Sequence, residues 1–466
     1  MDLNELEHAE TYRDRISTVS EKGERKWVYA SKPSGKFYTY RKIVVFIYVA
    51  TLIILPFIKV NGMPFVQINL PEGRFILFSK IFWPQDFYIF AIGMIAFIMF
   101  IALFTVIYGR LFCGWVCPQT IFMEFIYRPI EWMVEGNPAS QRLLNNAPWS
   151  GSKIAKKITK HVLFLIVTVL ISNIFLSYIF GVEKLWDYMK HPADHISLLI
   201  GIGVFSLFFY FVFAFVRDIV CTTICPYGRL QGTLFDKDTM QIAYDYKRGE
   251  PRGKINKKAE RTIGDCIDCK HCVHVCPTGI DIRDGLQMEC VGCTACIDAC
   301  DEMMEKVHLP KGLIRYASEN EIASGEKWHF TNKVKAYSVV LAILSIAMFV
   351  LLLTRKDLDV NVARAAGQLY NIEADGKLSN LYNLRFLNKL EKQYPVTLKL
   401  ENMDGKLEVV GGNDIVLKKA DITNATLIIH LARKDLNGYK TKVLIGVYHG
   451  DKKIRTIKAS FIGPMM

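Results

Sequence analysis

One stretch, from Cys266 to Cys300, limits what this chain can become more than any other: CIDCKHCVHVCPTGIDIRDGLQMECVGCTACIDAC. It holds two runs of C-x2-C-x2-C-x3-C, first Cys266, Cys269, Cys272 and Cys276, then Cys290, Cys293, Cys296 and Cys300. Bacterial ferredoxins use this spacing to hold a pair of [4Fe–4S] clusters, the fourth cysteine of each run reaching across to the other cluster. The expectation is one cluster on Cys266, Cys269, Cys272 and Cys300, and a second on Cys290, Cys293, Cys296 and Cys276. Pro277 follows the first run as the pattern asks, whereas Asp301 stands where the second proline would be. Proline turns the chain and ligates nothing, so the iron count is unaffected. Zinc sites favour two C-x2-C pairs around one metal, which a repeated four-cysteine run fits poorly. A disulfide framework needs an oxidising compartment, and the topology below places these thiols on the reducing side.

The remainder is too apolar for a simple soluble enzyme, with 51% hydrophobic residues in a chain of 466. Five apolar runs, at about 44–60, 87–108, 162–180, 196–216 and 337–354, are near the length a helix needs to cross the hydrocarbon core. Residues 1–41 lack the short n-region and small-residue cleavage site of a secretory signal, so the first run is retained. Orientation follows from the flanks. The N-terminal segment carries Arg13, Arg15, Lys22, Arg25, Lys26, Lys32, Lys36, Arg41 and Lys42. The 109–160 loop adds Arg110, Arg128, Arg142, Lys153, Lys156, Lys157 and Lys160, against only Arg74 and Lys80 in 61–86 and Lys184 and Lys190 in 182–194. Lys and Arg gather on the cytoplasmic side, so the N-terminus is inside and the tail outside. This placement accounts for much of the +13 net charge without nucleic acid as a partner. All twelve cysteines fall on the reducing side under that topology.

The organisation that follows is a cytoplasmic N-terminal segment (1–41), a four-helix membrane region (42–216) with a cytoplasmic loop at 109–160, a cytoplasmic ferredoxin region (217–335), a fifth spanning helix (336–355) and an external domain (356–466). In that last domain strand-like runs recur at 382–387, 396–400, 407–410, 425–431, 442–448 and 454–461. Turn signals such as Asp404-Gly405, Gly411-Gly412-Asn413, Asn437-Gly438 and His449-Gly450-Asp451 separate them. This rhythm reads as a small Ig-like β-sandwich without the inter-sheet disulfide of antibody domains.

Four more thiols lie in a doubled motif. Cys113-Gly-Trp-Val-Cys117-Pro118 follows the second apolar run and Cys221-Thr-Thr-Ile-Cys225-Pro226 follows the fourth. Both runs cross in the same direction, so both motifs end at one membrane face. Brought together, they would offer four soft ligands, of the kind suited to Cu(I), zinc or iron–sulfur; buried inert thiols and a redox-active dithiol are the other readings. His161 and His195 sit at membrane boundaries, and no two histidines lie in the apolar cores where a b-type haem would need them. His271 and His274, between cluster cysteines, read as tuning or surface groups rather than ligands; His191 and His195, in the outer loop, could touch a metal but read better as solvated loop residues. No glycine-rich phosphate loop of Walker or dinucleotide form is present.

Several stretches together resemble one family, the cytochrome c oxidase accessory proteins of the CcoG (FixG, RdxA) type: RKWVYASKPSGKFYTYRK, FWPQDFY, CGWVCPQT, CPYGRLQGTLFDKDT, YDYKRGEPRG, the ferredoxin run with GIDIRDG, DACDEMMEKVHLPKGLIRYASE, and GQLYNIEADGKLSNLYNLRFLNK. The resemblance implies a multi-pass iron–sulfur protein of the bacterial inner membrane that acts in assembling cbb3-type haem–copper oxidase. It further implies an oxidoreductase that reduces Cu(II) to Cu(I), with Cys113, Cys117, Cys221 and Cys225 binding or reducing copper. Partners would be a cytoplasmic electron donor, copper-delivery and oxidase assembly factors, and membrane lipid. The rival expectations are a polyferredoxin subunit exchanging electrons with quinol, and a non-catalytic metal-holding scaffold.

Overall fold

The computed structural model describes residues 25–70, 73–254, 263–326, 328–367, 369–373, 376–390, 392–412, 415–436 and 438–464. Arg13, Arg15 and Lys22 of the N-terminal basic group, and Asn413 and Asn437 of the turn signals, lie outside the described residues. Five helices are long and apolar enough to cross a bilayer: Lys36–Phe57, Pro84–Tyr108, Gly151–Phe180, Ile196–Val216 and Asn332–Leu353. Their outward side chains, such as Phe46, Phe97, Ile200, Leu207 and Ile346, are exposed, as lipid-facing positions should be when the solvent is hydrocarbon.

Two of these helices, the first and the third, begin about two turns or more before their predicted apolar runs. The first starts at Lys36 because Asp298, far along the chain, accepts hydrogen bonds from the Phe37 and Tyr38 N–H groups at 3.0 and 2.7 Å. A carboxylate there answers orphan donors and the positive end of the helix dipole. The third starts at Gly151, where the Ser150 hydroxyl accepts from Lys153 N. Its opening turns carry Lys153, Lys157 and Lys160, so an apolarity scan passes over them. Lys153 donates to the carbonyls of Asn145 and Ala147, and Lys157 and Lys160 pair with the buried Glu135.

Helices three and four are joined by polar contacts within the apolar layer: Ser172 to Ser206 at 2.7 Å, both buried. After Cys117 the chain re-enters helix at Pro118–Phe122 and continues through a π-helical turn at Met123–Tyr127 into Arg128–Glu135. Tyr127 stacks on Phe213 with ring centroids 4.6 Å apart, meets Phe164 edge-on, and hydrogen-bonds Thr168 at 2.7 Å. This helix is thereby fastened to helices three and four.

The ferredoxin region pairs Gln241–Tyr244 antiparallel with Ile314–Ala317 and carries one helix per cysteine run, His271–His274 and Ala295–Lys306. The two runs repeat in backbone as well as sequence. Asp268 and Lys270 (φ 51° and 55°) flank Cys269 as Gly292 and Thr294 (φ 68° and 64°) flank Cys293. Three of these four are not glycine and pay for a left-handed conformation, so each loop is bent around its second cysteine.

The C-terminal unit is a sandwich of two antiparallel sheets. One has the order Gly405–Val409, Ile422–Leu431, Leu378–Asn388, Leu358–Arg364, with Asn371–Ile372 also on Leu378–Asn388; the other runs Ile415–Leu417, Tyr394–Leu400, Lys440–His449, Lys452–Ile462. In chain order these are the A-B-E-D and C-F-G sheets of an Ig-like domain, with one short extra strand on C. All six predicted runs are strands; Leu358–Arg364, Asn371–Ile372 and Ile415–Leu417 are additional. The reason for the pattern is period-two burial: Tyr382, Leu384 and Phe386 point inward while Leu381, Asn383 and Arg385 are exposed. The core closes on Phe386, Phe461, Leu417, Leu427, Ile429, Val443, Ile445 and Val447. In the same unit, Arg74–Leu77 forms a hairpin with Lys80–Phe82.

Candidate metal centre

The eight ferredoxin cysteines divide between two cavities. One is lined by Cys276, Cys290, Cys293 and Cys296, with Ile280, Ile282 and Val291 among its apolar walls. The other is lined by Cys266, Cys269, Cys272 and Cys300, with Met304, Leu313 and Ile314. Cys272 lines both, so the cavities are neighbours. Burial pushes the Cys272 and Cys300 thiols up to about 12 and Cys290 up to about 11. Such pockets disfavour four uncompensated thiolates and accept them when cations replace the protons. The donor set, the dry walls and the two matching bends therefore fit an iron–sulfur cluster in each. Among the described residues, no three His, Cys, Asp or Glu side chains converge on a single metal ion.

The second doubled motif is built by two helix breaks of one design. Cys113 lies in Leu111–Trp115, the helix stops at Val116, and Cys117 is the N-cap of a new helix with Pro118 at its first position. Cys221 lies in a π-helical turn at Val220–Ile224, and Cys225 is the N-cap of Pro226–Leu234. Proline is suited to a first helical turn, where no N–H is needed, so each Cys-Pro both ends one element and starts the next. The four thiols are near enough to act on one another's charge: Cys117 and Cys225 raise Cys113, and Cys117 and Cys113 raise Cys221. They form a group, though not a closed cage around one ion. Burial, first, and Cys117, second, push Cys113 up to about 12, with Arg110 and Gln231 opposing. Burial likewise raises Cys117, against the Gln119 and Thr120 backbone N–H groups.

Gln231 is fully buried. Its Oε1 accepts from the Cys113 thiol at 3.3 Å while its Nε2 has no partner. Rotating the amide would turn that spare donor onto a Cys113 thiolate, offsetting part of the cost that burial places on the deprotonated form.

The two thiol systems touch. A Cβ on Gly114 would lie 2.6 Å from the Gly292 carbonyl oxygen, and one on Gly292 would lie 2.7 Å from that of Arg110. The backbone beside Cys113 is therefore pressed against the Cys290–Cys293 loop, and Cys113 and Cys221 pack on a cluster that includes Val291 and Cys293. Buried cations hold this junction. Arg41 donates Nε and Nη2 to the Gly114 carbonyl at 3.1 and 2.8 Å and Nη2 to Glu124 at 2.7 Å. Arg110 donates to the carbonyls of Met288 and Gly228. Arg128 bridges Asp218 (3.0 Å) and the Pro277 carbonyl (2.8 Å), and Arg217 grips Glu131 with two bonds of 2.6 and 2.7 Å.

Sequence reasoning counted Arg41, Arg110 and Arg128 only as flanking charge and missed Glu124, Gln231 and Gly114. The one available signal was Gly114 between two cysteines. Three histidines have partners other than thiols: His161 Nδ1 meets the Tyr210 hydroxyl at 2.8 Å, His191 faces Asp187, and His195 packs on Tyr188. The His274 carbonyl accepts from Ser31 N.

Spanning helices carrying a two-cluster ferredoxin fold define the class: a membrane iron–sulfur electron-transfer protein. Known families agree region by region. A family described as "4Fe-4S binding domain" matches residues 90–135, "4Fe-4S dicluster domain" matches 216–319, and "IG-like fold at C-terminal of FixG, putative oxidoreductase" matches 348–464. Protein RdxA of Cereibacter sphaeroides is 30% identical across 87% of this chain and 88% of its own length. Nitrogen fixation protein FixG of Rhizobium meliloti is 29% identical across 83% and 82%. The chain belongs to the FixG/RdxA family. Ferredoxin-type protein NapH of Escherichia coli is 26% identical over 42% of this chain and 63% of its own.

Proposed function

We propose that this protein takes electrons from a cytoplasmic donor and delivers them, one at a time, to copper at the Cys113/Cys117/Cys221/Cys225 group. Cu(II) is thereby reduced to Cu(I) for a haem–copper oxidase of cbb3 type under assembly. The observation that carries this reading is the direct packing of the Cys113-Gly114 backbone on the Cys290–Cys293 loop. Cys266, Cys269, Cys272 and Cys300 are the ligands of a first cluster, and Cys290, Cys293, Cys296 and Cys276 those of a second, a division supported by the two cavities. Thiolate-bound cubanes, when present, supply single electrons at strongly negative potential. Cys269, exposed, marks the end that meets the donor, and Val291 and Cys293 mark the end that meets the membrane thiols. Soft thiolates then favour Cu(I) over Cu(II), so the Cys113/Cys117 and Cys221/Cys225 pairs retain the product.

The balance is one electron from the donor and one copper ion lowered from +2 to +1. The basic flanks support a cytoplasmic N-terminus and clusters and a periplasmic sandwich in a bacterial inner membrane. A second reading is a polyferredoxin subunit that exchanges electrons with quinol; the likeness to a ferredoxin-type protein, over part of the chain, supports its ferredoxin part. The test replaces Cys113 and Cys117 with Ser in anaerobically purified protein, reduces it, and mixes it with Cu(II) in a stopped flow. Loss of copper-dependent cluster reoxidation with iron content intact is expected. Unchanged Cu(I) formation removes the thiols from the path, and reoxidation by a quinone but not by copper favours the second reading.

A further inference from the structure

At the base of the C-terminal unit a polar cleft of about 450 Å3 is lined by Asp86, Lys356, Asp359, Arg385, Lys389 and Arg455 together with smaller polar groups. Its position is fixed by two spanning helices. Asp86 and Tyr88 belong to the opening of Pro84–Tyr108, and Lys356 follows shortly after the end of Asn332–Leu353. The cleft therefore adjoins one end of each of two helices long and apolar enough to cross a bilayer, and lipid headgroups lie beyond such ends.

Its floor is already neutralised from within. Asp86, 2% exposed, pairs with Lys389 at 2.5 Å and Arg355 at 2.9 Å. Lys389, 8% exposed, also reaches Asp359 at 2.6 Å, and Asp359 meets Arg455 as well. These contacts engage both carboxylates. Lys356 and Arg385 remain on the rim, exposed and with no acidic partner among the described residues. The local excess of positive charge is thus unanswered by the protein, beside the ends of two spanning helices. Tyr88 stands half-exposed at the mouth, as aromatic side chains do at a membrane interface.

We propose that this cleft binds a phosphate-bearing anion. The Arg385 guanidinium and the Lys356 ammonium contact its oxygens, above a floor whose own charges are already paired. Guanidinium forks suit phosphate oxygens, which anionic phospholipids present just beyond the hydrocarbon core. Position favours the phosphodiester of an anionic phospholipid as the source; soluble phosphate has the same chemistry. The inference is independent of the copper reading, because no cysteine lines the cleft.

The experiment uses the full-length, cluster-loaded protein in detergent. Native mass spectrometry would follow retention of phosphatidylglycerol and phosphatidylcholine, with and without millimolar inorganic phosphate. Wild type is expected to keep phosphatidylglycerol preferentially, and K356E/R385E to lose at least tenfold of that retention. Both side chains are exposed, so iron content and melting temperature should be unchanged; R385Q alone, a milder change, should give an intermediate loss. Binding of inorganic phosphate with the same Arg385 dependence, and no lipid retained, would uphold the anion site and assign it a soluble ligand. Equal retention of the two lipids, or equal phosphatidylglycerol on wild type and K356E/R385E with no Arg385-dependent phosphate binding, overturns it.

Discussion

Arg41 is 1% exposed, and a guanidinium is costly to bury unless its charge is answered. Glu124 answers most of it, yet Arg41 Nη1 and Glu124 Oε1 are both left without partners. Both charges act on Cys293, Glu124 raising its thiol and Arg41 lowering it. A cluster on that cysteine gains a negative charge on reduction, so the two residues should pull its potential in opposite directions. Arg41→Gln is expected to lower the midpoint and Glu124→Gln to raise it, each by about 59 mV, a tenfold change in a one-electron equilibrium. Redox titration followed by EPR checks this, and shifts of one sign in both variants would contradict it. Gly292 is a second sensitive position, with φ 68° and no room for a Cβ against the Arg110 carbonyl. Gly292→Ala carries about 1–2 kcal/mol of backbone strain alone. It should lower the melting temperature and slow copper-dependent cluster reoxidation, both read on the purified protein.

The decisive elements are interrupted helices. The fourth spanning helix ends at Arg217, whose φ of 56° leaves the helical region, and the same residue's side chain is held by Glu131. Breaking such a buried pair from one side leaves an unpaired charge and costs about 3–5 kcal/mol. Glu131→Ala should therefore destabilise the membrane unit by that order in denaturant titration. A double variant replacing Arg217 and Glu131 with apolar residues should recover much of it. In the sandwich, burial would raise the Asp359 carboxyl, but Lys389 and Arg455 outweigh it and hold the group below its usual value. A folded value below the unfolded one means stability that is complete above the unfolded value, about 3.9, and lost as pH falls through the depressed folded value. Calorimetry from pH 7 downward should show this acid loss in wild type, and Asp359→Asn should remove part of the slope.

At the scale of the molecule, the chain forms two compact units, each with its own core. The sandwich core contains no cysteine, whereas the ferredoxin core is partly built from Cys266, Cys272 and Cys276. Cluster binding is then part of the folding energy of one unit only. Removing iron with a chelator under mild denaturation should shift one thermal transition downward and leave the sandwich transition in place. A single transition moving as a whole would show that the units unfold together.

What could be read from the amino-acid order was whatever local spacing dictates. Cysteines at fixed short intervals, apolar runs of bilayer length and period-two strands carry their structure within a dozen residues. They identified the ferredoxin runs, the five spanning helices and six of the sandwich strands. The doubled Cys-x3-Cys-Pro motif was legible too, since proline after cysteine ends one helix and starts another. What only the tertiary structure decided depends on residues far apart in the chain. Asp298 sets where the first helix begins, Gly114 lies on Gly292, and Arg41 joins a carbonyl, a carboxylate and the surroundings of a cluster cysteine. Charge near a membrane reads as flank in a linear scan because sequence gives side but not depth. Whether an arginine lies in water or under a cluster is settled by which buried acids and carbonyls fold up against it.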